Sequence, residues 1–112
     1  MKIYHNPRCR KSREGVQYLT DKKLNFEIFD YLKEGVSEDD IKSILKKLNM
    51  SAIELVRKNE KIWKDNFKGK ELKEEQIISI LCEEPKLIER PIIVHKNKAV
   101  IGRPKENIDN LL

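Results

Sequence analysis

No apolar run in the sequence comes near the ~18 residues a membrane span needs, and the opening MKIYHNPRC has no apolar leader. A cytoplasmic protein with no membrane association is the expectation. Cysteine is scarce: Cys9 and Cys82 are too few and too far apart for a disulfide framework or a zinc site. In a reducing compartment both are free thiols, so reactivity is the question for each. The net charge of +5 admits anionic partners. With no helix-turn-helix signature, no aromatic-lined strand set and no basic tail, it does not point to nucleic acid. Repeats, linkers and low-complexity stretches are also missing. Residues 1–112 therefore read as one domain, of a size that buries roughly two-thirds of its unfolded surface.

The hydrophobic periods that are present change along the chain. KIYH (2–5) predicts a short strand ending at Asn6-Pro7, followed by a helix from about Cys9 to Asp21 with Val16 and Leu19 inward. NFEIFDY (25–31), with Phe26 and Ile28 alternating, predicts a second strand, and strand–helix–strand suggests a parallel βαβ unit. The middle is helical. Ser37 precedes a run with Ile41, Ile44, Leu45 and Leu48 on one stripe, and Ser51 with Glu54 forms a capping box opening AIELVRKN. A third helix spans about 73–84 and stops before Pro85. PIIVH and KAVIG then predict a hairpin around Lys96-Asn97, with the asparagine at a left-handed turn position, and Pro104 suits the first turn of a last helix. The expected fold is α/β and thioredoxin-like: βαβ then ββα around a mixed four-stranded sheet, with a helical lobe inserted at about 34–85.

Cys9 is the residue whose setting asks for chemistry. It stands at the start of the first helix among Arg8, Arg10, Lys11 and Arg13. The thiolate is the nucleophile, and a free cysteine near pKa ~8.5 is little ionised at neutral pH. Helix-terminal amides and adjacent cations favour the anion; lowering the pKa by two units takes roughly 2.7 kcal/mol. A lone cysteine is often only buried packing, but a cationic neighbourhood argues against an apolar site here. Ser12 occupies the place of the second cysteine of a C-x-x-C pair, and Gly15 the place of a phosphatase-loop arginine, so neither template applies. Cys82, inside IISILCEE, is expected to pack. Eighteen lysines stand against six arginines, yet Arg57, Arg90 and Arg103 punctuate loops, where a guanidinium fork can grip an oxyanion as lysine cannot.

Taken together, YHNPRCRKSRE, LVRKN, ERPIIV and GRP, in that order, resemble the ArsC family of glutaredoxin-coupled arsenate reductases over nearly the whole chain. The resemblance implies that Cys9 attacks arsenate or a similar oxyanion held by Arg57, Arg90 and Arg103. It also implies that Ser12 hydrogen-bonds the thiolate, that His5 lies nearby and that the Arg90–Pro91 bond is cis. Glutathione would be the co-substrate and glutaredoxin the partner, with no bound cofactor and no metal. Two alternatives stand beside it: a glutathione-dependent thiol reductase of another substrate, and an Spx-like regulator that binds RNA polymerase. Ser12 and Arg103 favour the reductase. A monomer is expected.

Overall fold

Three residues suffice for β1 (Lys2–Tyr4), whose Ile3 and Tyr4 are both buried, Tyr4 packing edge-on to Phe29. In the computed structural model, which describes residues 1–112, the chain gathers into two units, Met1–Gly35 with Arg90–Leu112, and Val36–Glu89.

In the first unit, α1 (Arg10–Asp21) connects β1 to β2 (Glu27–Phe29), which lies parallel to β1 with Ile3 opposite Ile28. β3 (Ile92–His95) and β4 (Lys98–Ile101) complete a mixed sheet of order β2-β1-β3-β4. Ile3, Leu19 and Ile93 form its core with Ile108 and Leu111. These last two lie three apart on a 3₁₀ helix (Lys105–Leu111), which places them on one side, since 3₁₀ geometry repeats every three residues.

Several details depart from the sequence expectations. The second strand stops early because the Asp30 side chain caps a short helix, α2 (Tyr31–Glu34), accepting from the Lys33 amide at 3.2 Å. Of the alternating pair, Ile28 is 51% exposed, because β2 is the edge of the sheet, and Phe26 alone packs on the core. The left-handed position of the hairpin falls on Lys96 (φ 56°), not on Asn97. Pro104 stands before the last helix as its extended cap rather than in its first turn.

Pro91 is held by close backbone approach. A Cβ on Gly15 would lie 2.9 Å from the Pro91 Cγ, and one on Gly102 would lie 3.2 Å from the same atom and 2.8 Å from Ile93 Cδ1. Pro91 and Ile93 are both buried, so neither neighbour can easily give way. Gly15→Val is expected to lower unfolding stability by about 2 kcal/mol or more through overpacking, read from urea midpoints. An unshifted midpoint would show that Pro91 is free to retreat.

The second unit is helical. α3 (Glu38–Leu48) opens with a reciprocal cap between Ser37 and Asp40, buries Ile41, Ile44 and Leu45, and ends on left-handed Asn49. It packs against α5 (Glu74–Glu83), which buries Ile77, Ile78 and Leu81. The Ser51–Glu54 box starts only a 3₁₀ turn (Ala52–Leu55), shorter than expected. The chain then goes extended: Val56 bridges Ile88, Arg57 N–H donates to Leu87 O at 2.6 Å, and Glu89 N–H donates to Leu55 O at 2.9 Å. A helix that no sequence expectation placed, α4 (Lys61–Asn66), buries Trp63 against Phe67. No helix of the chain is long and apolar enough to cross a membrane.

Candidate active site

The loop from β1 to α1 is built by Asn6. This buried residue accepts the Cys9 amide on its carbonyl at 3.0 Å, accepts the Arg8 amide on Oδ1 at 3.0 Å, and donates its own N–H to Ser12 Oγ at 2.9 Å. Sequence reading stopped the strand at Asn6-Pro7 without giving Asn6 a role. The Asn-Pro pair was the signal, because an asparagine side chain bonds the backbone two residues on.

Cys9 lands on the N-cap of α1, half-buried, with Arg13 N–H closing the first turn on its carbonyl at 3.0 Å. Arg103 Nη2 lies 3.4 Å from its Sγ. Burial pushes the thiol up, but a hydrogen bond and the charge of Arg90, with the backbone amides of Ser12 and Lys11, outweigh it, and Cys9 sits below its ordinary pKa. The cations that hold the sulfur therefore arrive from residues 90 and 103, not from the basic run beside it. Lys11 pairs with Glu14 at 3.5 Å, and Arg13 Nη1 donates to Pro7 O at 2.9 Å.

Ser12 is fully buried and its hydroxyl is occupied: it accepts from Asn6 and bonds His5 Nδ1 at 2.7 Å. Ser12 thus meets Cys9 through its backbone amide rather than through the expected hydroxyl bond. His5 reaches the site through that serine. Burial lowers its pKa, Asp30 opposes and Arg13 adds to the fall, so the imidazole is held neutral further into acid than usual.

Arg90 and Arg103 each precede a cis-proline, Pro91 and Pro104. Besides the Nη2 that faces Cys9, Arg103 has a buried Nε with no hydrogen-bond partner in the protein. Arg57 belongs to the helical unit, where Glu60 and Glu89 flank its guanidinium at 3.8 and 3.7 Å. No group of three or more His, Cys, Asp or Glu side chains is arranged to hold a metal ion.

Cys82 differs from Cys9 in sign. Burial, then Glu38, Asp40 and Glu83, raise its pKa. Iodoacetamide at neutral pH should therefore alkylate Cys9 well before Cys82, with the Cys9 rate holding up further into acid. Peptide mass spectrometry over time reads this directly, and equal labelling would remove the electrostatic account of Cys9.

A half-buried thiolate held between two guanidiniums can attack an electrophilic oxyanion. Comparison with known proteins bears on which one. Residues 4–111 match the ArsC family. The uncharacterized protein YfgD of Escherichia coli (strain K12) is 43% identical over 110 residues, 96% of this chain and 92% of that protein. The arsenate reductase of Haemophilus influenzae is 36% identical over 112 residues, 98% of this chain and 97% of that one. Among solved structures, an arsenate reductase from Vibrio cholerae superposes with a TM-score of 0.94 at 33% identity, covering 100% of this chain and 98% of its own.

Proposed function

Because the chain belongs to the ArsC family, with a thioredoxin-like fold, we propose that it is an arsenate reductase that works through Cys9 and external thiols. The observation that carries the reading is the approach of Arg90 and Arg103 to one depressed-pKa thiol, with a donor of Arg103 left over.

The chemistry follows from that geometry. Cys9 thiolate attacks arsenic and forms an S–As bond; one arsenate oxygen leaves with protons as water. The guanidiniums stabilise the oxygens as negative charge concentrates on them, the interaction most valuable in the transition state. Glutathione then attacks the Cys9 sulfur. An S–S bond forms, the S–As bond breaks with its electron pair on arsenic, and pentavalent arsenic departs as trivalent arsenite. Glutaredoxin takes the glutathionyl sulfur by thiol–disulfide exchange and returns Cys9 as thiolate. Two thiols are oxidised for one arsenic reduced, so the electrons balance. With Ser12 at the position of a local resolving cysteine, the second thiol comes from outside.

The test is NADPH oxidation in the presence of glutathione, glutaredoxin and glutathione reductase. Turnover that requires arsenate, glutathione and glutaredoxin together is the expected result. Turnover absent with arsenate, while Cys9 still forms a glutathione mixed disulfide, would keep the thiol chemistry and reject arsenate as substrate.

A further inference from the structure

We infer that the crevice at the carboxyl ends of β1 and β2 docks the thiol co-substrate, a small peptide thiol with two carboxylates and one ammonium, its carboxylates on Arg8 and Lys33 and its ammonium on Asp30. The inference rests on the reading of Cys9 as an enzyme thiol served by an external one.

The crevice measures about 300 Å³ and is lined by Asn6, Pro7, Arg8, Asp30, Leu32 and Lys33. That volume reaches the lower end of the ~300–1,000 Å³ typical of small-molecule sites. It opens where the parallel strands β1 and β2 both end and hand over to helices, the place where parallel sheets bind ligands. One wall is the Asn6–Arg8 turn, and the same turn delivers the nucleophile, since Asn6 O holds the Cys9 amide at 3.0 Å. A ligand seated there lies against the residues immediately before Cys9.

The charges in this wall select a class of ligand. Neither Arg8 nor Lys33 makes an ion pair, whereas Lys11, Lys22, Arg57 and Lys61 each do. Asp30 commits Oδ1 to the α2 cap, and its Oδ2 makes no hydrogen bond. Two cations around one carboxylate complement two carboxylates around one ammonium. A small inorganic oxyanion would meet repulsion from Asp30, and an uncharged thiol would find no ionic partner. Leu32, 39% exposed, adds an apolar surface for the methylenes of such a peptide.

S-methylglutathione, which cannot form a disulfide, is the probe, titrated into nitrogen-15-labelled protein and followed by amide shifts. Saturable shifts at Asn6, Arg8, Leu32 and Lys33 are expected. Lys33→Glu should weaken binding at least fivefold, and Lys33→Arg should restore it. Asp30→Asn keeps the helix cap, because asparagine caps as well as aspartate. It should weaken S-methylglutathione while leaving unchanged the affinity for the N-acetylated analogue, which lacks the ammonium. Absence of saturable shifts, shifts confined to residues outside the crevice, or wild-type affinity in Lys33→Glu would each overturn the site. Neither arsenate nor a reactive thiol enters this titration. Failure here leaves the arsenate reading to its own assay, and failure of that assay leaves this site standing.

Discussion

Cys9→Ser should reduce arsenate-dependent turnover to the level seen without the protein, while the unfolding midpoint stays near wild type. A serine hydroxyl at this N-cap meets the same amides and guanidiniums, yet its proton is held far too tightly for them to yield an alkoxide, so the nucleophile disappears while its setting remains. Serine is also a favourable N-cap residue, so α1 should not suffer. Intact-mass spectrometry after treatment with arsenate and glutathione should show one glutathione adduct on wild type and none on the variant. Retained turnover would remove Cys9 from the mechanism and return attention to Cys82, despite its raised pKa.

Arg90→Lys tests the oxyanion grip without changing the formal charge. Lysine offers a point charge where the guanidinium offers a planar fork, so kcat/KM for arsenate should fall at least tenfold, about 1.4 kcal/mol of transition-state stabilisation. The same change weakens the hydrogen bond that helps keep the Cys9 thiol down. The Cys9 pKa should therefore rise toward its ordinary value, and the pH profile of iodoacetamide labelling should move to higher pH. A fall in turnover with an unmoved labelling profile would assign Arg90 to substrate alone. An unchanged kcat/KM would take it out of the oxyanion site.

Much of the sheet was legible from residue order. Alternation and turn residues predicted β1 and the hairpin, because each depends on neighbours a few residues apart, and the strand–helix–strand order predicted the parallel pairing of β1 with β2. The end of β2 was not: Asp30 caps α2 and buried Tyr31 draws the chain into the core, and NFEIFDY alone reads as continuous strand. The Ser51–Glu54 box was read correctly as a helix start, but the extension of Val56 depends on pairing with Ile88, far away in sequence. The same limit shaped the site. Cys9 and its arginines could be picked out by residue type, but the basic run adjacent to Cys9 looked like its activator. In the fold, Lys11 and Arg13 have other partners, and the sulfur is served by Arg90 and Arg103, which only the sheet brings near. Ser12 was singled out, yet its hydroxyl turned to His5 and Asn6, a choice set by the buried loop.

The grip of Gly15 and Gly102 on Pro91 sets how this site responds to its solvent. Arg90 is attached to that ring, so its backbone is fixed by van der Waals contact, which dissolved ions do not weaken. The pull of the guanidiniums on a half-exposed thiolate is electrostatic, and such forces fade over a Debye length of about 8 Å at physiological ionic strength. Raising the electrolyte concentration should therefore let the Cys9 pKa climb back toward its ordinary value, the thiol holding its proton more tightly, while leaving the frame around it unmoved. Acidity and architecture, joined at one residue, answer to different variables.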